Sequence, residues 1–212
     1  MEPLDPVEVR VLGALIEKEA ATPEYYPLSM NALVNACNQK SNRHPVVNYT
    51  DEDVSDAILR LRAKGLAVTI TGGSRVAKYG QRISETLNLG RRELAALAVL
   101  LLRGPQTLGE IKDRAERLYH FADLDEVAST LDRLAEWPVM PLTVKLPRQP
   151  GRKEARFAHL LSGAPQVEPE TGSDDSSASS SAIERLEDEL HGLRDELAEL
   201  RRRFDALEAQ FR

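Results

Sequence analysis

Apolar residues along the first 86 positions recur at intervals of three and four, which is the spacing of one face of an α-helix. The segment Asp5-Pro6-Val7-Glu8 begins the first of these runs with a capping residue, a proline and an acid three positions after the cap. Gly65 ends the third run, and a glycine turn at 72–74 follows. The pattern predicts three helices and a β-hairpin, with helix starts at Asp5, Ser29 and Thr50 and strands over 66–71 and 75–82.

The same series of elements returns in the second part of the chain. Apolar residues of the third helix, at 54, 58 and 61, recur with the same spacing 73 positions later, at 127, 131 and 134. A repeat of this length indicates a tandem duplication rather than a short-period solenoid. The second copy is predicted to have helices over 91–102 and from Thr107 and Asp123, and strands over 142–146 and 154–160.

Three short helices followed by a two-stranded hairpin is the order of elements in a winged helix, a variant of the helix-turn-helix. In DNA-binding members the third helix lies in the major groove and the hairpin contacts the neighbouring backbone. The sequence therefore predicts a mainly α fold with small β-hairpins (α+β), built from winged-helix domains over 1–86 and 87–162.

The C-terminal part of the chain has a different character. Residues 163–182 are rich in Ser, Asp, Pro and Gly and poor in apolar side chains, which predicts a disordered linker. Residues 183–212 have apolar residues at strict heptad spacing, which predicts a coiled-coil helix. The predicted dimerisation residues are Ile183, Leu186, Leu190, Leu193, Leu197, Leu200, Phe204, Leu207 and Phe211.

Charges beside the heptad positions favour a parallel homodimer. In a parallel pair Glu189 would face Arg194 and Glu196 would face Arg201, so opposite charges would meet. An antiparallel pair would bring Arg194 toward Arg201 instead. A helix that folds back onto the body, or a trimer, remains the alternative.

Charge is distributed unevenly along the chain. The 212 residues have a formal net charge of -6, but residues 1–162 hold 22 Lys and Arg against 21 Asp and Glu, whereas residues 163–212 hold 6 against 13. One Cys and four dispersed His argue against a disulfide framework and a metal site. No cofactor motif, catalytic constellation, signal segment or bilayer-length apolar stretch is found, so the sequence predicts a cytoplasmic protein without enzyme activity, cofactor or membrane partner.

Basic residues of the body cluster at the end of the first domain's third helix, in both hairpins and in the loop before that helix. Lysine and arginine at such positions suit contact with the phosphates of double-stranded DNA. The predicted nucleic-acid-binding residues are Lys40, Arg43, Arg60, Arg62, Arg75, Lys78, Arg148, Arg152 and Lys153.

Acidic residues in the first turn of the third helices argue against the reading of base edges there. Asp51 and Asp53 would repel phosphates, and capping of the helix is the other explanation for them. In the loop, Asn38, Ser41 and Asn42 either donate to phosphates or hold a turn through bonds to the backbone. The alternative function is therefore a protein-interaction adaptor that docks partners through its winged-helix faces and assembles through its coiled coil.

Three strings of residues resemble the YceH family of uncharacterised bacterial proteins. They are Asn-Gln-Lys-Ser-Asn-Arg-His-Pro at 38–45, Leu-Arg-Gly-Pro-Gln-Thr at 102–107, and Leu-Pro-Arg-Gln-Pro-Gly with Glu-Ala-Arg-Phe-Ala-His-Leu within 146–160. The resemblance covers roughly residues 3–162 and implies a tandem winged-helix fold and a bacterial cytosolic origin, with no catalytic residues. Together with the charge pattern, it leads to the hypothesis of a non-enzymatic, dimeric DNA-binding transcriptional regulator.

Overall fold

Seven α-helices and two antiparallel hairpins make up the part of the chain that the structure, a computed structural model, describes: residues 2–71, 76–148 and 154–165. They confirm a mixed α and β fold with small hairpins. The predicted linker beyond residue 165 and the predicted coiled coil lie outside these residues. The helices are α1 (Pro6–Ala21), α2 (Met30–Cys37), α3 (Asp51–Ala63), α4 (Ile83–Thr86), α5 (Arg91–Arg103), α6 (Leu108–Ala115) and α7 (Leu124–Ala135), and the hairpins pair β1 (Ala67–Ile70) with β2 (Lys78–Gln81) and β3 (Thr143–Lys145) with β4 (Phe157–His159).

Side chains cap the first turns of five described helices, and in three of these the bonds are reciprocal. Asp5 accepts hydrogen bonds from the backbone of Val7 and Glu8 at 2.8 Å, and the Glu8 carboxylate accepts one from the Asp5 backbone. These bonds satisfy backbone groups that the first turn of a helix leaves unpaired, and they confirm the predicted start of α1. The same reciprocal bonds join Thr50 with Asp53 at α3 and Thr107 with Glu110 at α6.

In both halves of the structure, the residue two positions before the second helix forms a backbone bridge to the second strand of the hairpin. The backbone of Leu28, just before α2, exchanges hydrogen bonds with Tyr79 of β2, and that of Gln106, just before α6, does so with Phe157 of β4. The two bridges lie 78 positions apart along the chain. The internal repeat seen in the sequence pattern therefore extends to the pairing of the backbone.

The loop between the second and third helices is five residues longer in the first half. The caps of α2 and α6, Ser29 and Thr107, lie 78 positions apart, whereas the caps of α3 and α7, Thr50 and Asp123, lie only 73 apart. The extra length falls in residues 38–49, which we call the long loop.

The hairpins are shorter than the sequence pattern predicts. Four residues pair on each strand of the first hairpin and three on each strand of the second. Beyond these strands single backbone bonds continue the same register, from Arg82 to Leu66, from Leu160 to Leu142 and from Leu146 to Arg156. The short helix α4, which the sequence did not predict, follows the first hairpin. Four residues are too few to show helical periodicity, and here a tertiary bond from the Trp137 indole to the Leu87 backbone oxygen, at 2.9 Å, holds the segment that follows.

A continuous core runs through both halves, and α1 packs directly against α5. Gly13 lies in α1, where an added Cβ would come within 2.9 Å of the Leu102 side chain and 3.1 Å of Leu101. The absent side chain lets the first helices of the two repeats approach closely. The two halves are therefore joined by packing as well as by the chain.

His159 on β4 carries a buried ring nitrogen without a hydrogen-bond partner in the described structure. Its Nδ1 is inaccessible, and burial lowers the pKa of the imidazole from 6.5 to about 4. In the unfolded chain the His159 imidazole takes up a proton near pH 6.5, whereas in the folded chain it stays neutral until the pH is near 4. The contribution of His159 to stability is therefore fully present above about pH 6.5 and is lost as the pH falls toward 4.

We expect His159→Phe to reduce the pH dependence of the free energy of unfolding. Urea unfolding between pH 7 and pH 4.5 should give a slope smaller by up to about 1.4 kcal/mol per pH unit, the contribution of one proton. A slope equal to that of the unaltered chain would contradict the depressed pKa of His159.

Candidate nucleic-acid interface

A groove separates the second half of α3 from the adjoining hairpin. Leu59, Arg62 and Ala63 line it from α3, because positions three and four apart share one face of a helix. Thr69 of β1 forms part of the opposite wall, and Arg82, which follows β2, also lines the groove. This groove has a volume of about 500 Å³ and is open to solvent.

Two arginines bring positive charge to this groove from different elements. Arg62 is exposed and has no ion-pair partner in the ranges that the structure describes. Arg82 is also exposed and lies 3.3 Å from Glu85, three positions along, in a surface pair of the kind that contributes little energy. Lys78 of β2 lies opposite Ile70 on the neighbouring strand. An anion in the groove would meet two guanidinium groups, whose planar donors match phosphate oxygens.

The other end of α3 is negatively charged. Asp51, Glu52 and Asp56 are exposed there. The Asp53 carboxylate accepts bonds from the backbone and the hydroxyl of Thr50, both at 2.8 Å, and these bonds hold the pKa of Asp53 below its usual value. Capping therefore explains Asp53. A nucleic acid would be repelled by the first turn of α3 and attracted by its last turns.

Arg43, predicted to contact phosphates, is buried instead. Its side chain is 0% exposed, and its guanidinium donates to both carboxylate oxygens of Glu17, to the Ala36 backbone oxygen and to the Gln39 side chain. These acceptors bind the N–H donors of the guanidinium inside the protein, so a phosphate at the surface cannot reach them. Arg43 is therefore left out of the proposed interface.

A second buried arginine fixes the long loop from inside. Arg10 of α1 donates to the backbone oxygens of Cys37 and Pro45, at 3.0 and 2.6 Å. The Asn38 side chain makes two bonds of 2.8 Å with the backbone of Tyr49. Asn38 thus holds a turn, as the second explanation for the loop predicted.

Arg60 joins α3 to the start of α1. Its guanidinium lies 2.9 Å from Asp5 and 3.7 Å from Glu8, whose side chain is buried. Lys64 approaches the same Glu8 carboxylate at 2.8 Å. Because two acids compensate its charge, Arg60 is a weaker candidate for phosphate contact than Arg62.

The same ion pair recurs in the second half. Glu93 is the third residue of α5, as Glu8 is of α1, and it too is buried. Arg133 of α7, 73 positions after Arg60, lies 3.3 Å from Glu93. The third helix of each half is thus tied to the first helix by an arginine, which gives Arg60 a structural role.

The remaining predicted cations are not brought together by the described structure. Lys40 and Arg148 are exposed, and neither lines the groove. Arg75, Arg152 and Lys153 lie outside the described residues, as do all the predicted dimerisation residues from 183 onward.

The third helix of the second half presents an acidic surface. Asp125, Asp132 and Glu136 are exposed on α7 or at its end, and Leu124 in its first turn is 48% exposed. Such a surface repels phosphates and would suit a basic protein partner better.

The thiol of Cys37 is buried in the core, and burial raises its pKa to about 12, so it stays protonated and unreactive. Cys37 is therefore a small residue of the core. Within the described ranges no cluster of His, Cys, Asp and Glu has the geometry of a metal site. In the same ranges no helix has both the length and the apolar character needed to cross a bilayer.

Sequence reasoning missed Arg82 and Thr69 as residues of the groove. Thr69 looks like any β-branched strand residue, and its position beside α3 depends on tertiary packing. A signal for Arg82 was present, since the period of two along an extended strand places it on the same face as Lys78.

Comparisons with known proteins place these features in a bacterial family. A family model described as "Protein of unknown function, DUF480" matches residues 4–152. A UPF0502 protein of Solibacter usitatus is 53% identical over 98% of each chain, and one of Pelobacter propionicus is 51% identical over the same shares. A UPF0502 protein of Geobacter sulfurreducens is 56% identical over 79% of this chain and 76% of its own.

Proposed function

Since the chain belongs to the DUF480 (UPF0502) family of uncharacterised bacterial proteins, we propose from its geometry that it is a non-enzymatic protein that binds the backbone of double-stranded DNA. The observation that carries this proposal is the groove between α3 and the first hairpin, where Arg62 and Arg82 come from different elements to line one surface. Lys78 adds a third cation on the adjoining strand.

The order of elements supports a winged helix in each half. Three helices precede each hairpin, and one more backbone segment bridges to it, at Leu28 and at Gln106. In DNA-binding winged helices the third helix and the hairpin are the parts that meet the duplex. We therefore propose that the chain has a tandem winged-helix fold, as the resemblance to the YceH family implies.

Charge along α3 favours contact with phosphates over the reading of bases. A third helix that enters the major groove presents its first turns to base edges, and in α3 those turns hold exposed Asp51 and Glu52. The cations lie at the opposite end, near the hairpin. We therefore expect binding that depends strongly on salt and weakly on base sequence.

The heptads at 183–212 supply the second part of the proposal, a parallel homodimer. Two copies joined through a long polar linker would place two basic grooves on one assembly. Such a dimer would raise the apparent affinity for long duplexes without fixing a spacing between half-sites. Regulation of transcription is the cellular role that this binding would serve.

A charge-matched pair of triple variants tests the proposed interface. The first variant combines Arg62→Gln, Lys78→Gln and Arg82→Gln. Its slope of log binding constant against log salt concentration should become shallower by roughly one unit for each lost phosphate contact. Binding of a generic duplex to the full chain is measured by fluorescence anisotropy from roughly 50 to 200 mM salt.

Arg91→Gln, Lys112→Gln and Arg117→Gln together form the control, because they remove the same charge away from the groove. This variant should keep the salt slope of the unaltered chain. Equal losses in the two triple variants would show that net charge alone attracts the duplex and would reject the groove as the interface.

The acidic surface of α7 favours a second candidate function, docking of a basic protein. Asp125, Asp132 and Glu136 lie beside exposed Leu124, a combination that attracts cationic and apolar side chains together. Absence of duplex binding at low salt would make this adaptor function the leading one, with the coiled coil assembling the complex.

A further inference from the structure

A cavity lies where α1 and α5 contact each other, and we call it the α1–α5 cavity. The two helices approach closely at Gly13, but their contact also leaves a volume of about 210 Å³ beside the end of α1 and the start of α5. Positions three and four apart share one face of a helix, so each helix presents several residues to this volume. The apolar lining residues are Ile16 and Ala20 of α1, Leu94 and Ala95 of α5, and Leu118 just after α6.

The size of this cavity sets the size of the group that it can hold. Ala20 and Ala95 each present only a methyl group to it, whereas protein interiors are otherwise closely packed. A cavity of about 150 Å³ accepts benzene. The larger α1–α5 cavity therefore has room for a branched or aromatic side chain together with a few further atoms.

Two opposite charges complete the lining, Glu19 of α1 and Arg91 of α5. In the described ranges they form no ion pair with each other, and the exposed Arg91 has no other hydrogen-bond or ion-pair partner there. Glu19 Oε2 accepts a hydrogen bond of 2.6 Å from the Gln81 side chain, whereas Oε1 accepts none from a described residue. An anion and a cation thus border one apolar cavity, and each can bind a further partner.

A ligand that matches this lining carries both charges on an apolar body. We propose that the α1–α5 cavity binds an α-amino acid with an apolar side chain. Arg91 donates to the carboxylate of the ligand, and Glu19 Oε1 accepts from its ammonium group. The apolar side chain of the ligand packs among Ile16, Leu94 and Leu118. A simple carboxylic acid would be repelled by Glu19, and a simple amine would be repelled by Arg91.

Isothermal titration calorimetry of the full chain with L-leucine and with L-phenylalanine tests this proposal. At least one of them should bind with a dissociation constant in the millimolar range or below. L-Alanine has the same two charges without the larger apolar body, so it should bind at least about tenfold more weakly than L-leucine or L-phenylalanine. No binding of L-leucine or L-phenylalanine at concentrations up to about 10 mM would overturn the site.

Arg91→Gln and Glu19→Gln identify the ligand group that each residue binds. Each variant should weaken binding of the amino acid by about three- to tenfold, as expected for charge-assisted bonds that are partly exposed to water. A glutamine at position 19 can still accept the bond from Gln81, so the contact of α1 with β2 is kept. Arg117→Gln is the control, because it removes an exposed positive charge that does not line the cavity, and it should leave binding unchanged.

Ligand analogues separate the two charges further. Isocaproate is L-leucine without its ammonium group, and isoamylamine is L-leucine without its carboxylate. The unaltered chain should bind L-leucine more tightly than either analogue. Glu19→Gln should reduce the preference over isocaproate, and Arg91→Gln should reduce the preference over isoamylamine. Equal binding of L-leucine and isocaproate by the unaltered chain would reject a site for both charges.

Ala20→Leu tests the location of the ligand, because the larger side chain takes up part of the cavity. Binding of the amino acid should be lost, while the melting temperature without ligand reports whether the variant folds. Binding that survives both Ala20→Leu and Arg91→Gln would place the ligand elsewhere and overturn the site, as would equal losses in Arg91→Gln and Arg117→Gln. These outcomes do not depend on DNA binding, because no described residue lines both the α1–α5 cavity and the basic groove.

Discussion

Arg43→Ala is expected to lower the free energy of unfolding by about 3–5 kcal/mol, the usual cost of removing one member of a buried ion pair. The guanidinium is fully buried and bonds to Glu17, Ala36 and Gln39, so its removal leaves a mostly buried carboxylate and a backbone oxygen without their donors. Urea unfolding of the full chain measures the loss.

Lys40→Ala is the matched control for this prediction. Lys40 is exposed on the same long loop, so its removal should change stability by no more than about 0.5 kcal/mol. Similar stabilities for the two variants would mean that Arg43 is not held as the structure shows. A stable Arg43→Ala protein with weakened duplex binding would restore Arg43 to the interface.

Glu8→Ala is expected to cost about 3 kcal/mol or more. The buried Glu8 carboxylate lies 2.8 Å from Lys64, which is itself mostly buried, and it also caps the Asp5 backbone at the start of α1. The substitution therefore leaves the Lys64 ammonium without its counter-charge and removes half of a capping box.

Two further variants separate these contributions. Glu8→Gln can still accept the capping bond, so it should cost less than Glu8→Ala while losing the charge. Combining Glu8→Leu with Lys64→Met replaces both charges by apolar groups, and the pair should cost far less than the two single changes added together. Additive costs in urea unfolding would contradict a direct interaction between Glu8 and Lys64.

The helices of this protein were predictable because their signals are local. Asp5, Thr50 and Thr107 lie within three positions of the residues that they bond, so the capping pattern appears in the printed sequence. The repeat was visible for the same reason, since each copy carries its own apolar spacing. Helix α4 was missed because its four residues show no period.

The roles of the cations were less predictable because burial and pairing are tertiary properties. A count of charges along the sequence cannot distinguish the buried Arg43 from an exposed cation, because its partner Glu17 lies 26 positions earlier, in α1. Arg60 likewise depends on acids at the start of α1. Arg82 also depends on tertiary structure. It lines the groove beside α3 because β2 runs antiparallel to β1 and brings the chain back toward this helix.

The contact of α1 with α5 brings together the same helix of both repeats, as happens in an isologous dimer, where one surface of each subunit meets its own copy. A single unit would expose this apolar surface to water, and packing against the second unit covers it. One half carries the long loop and the basic groove, and the other carries the acidic α7, so a shared core supports two surfaces of opposite charge.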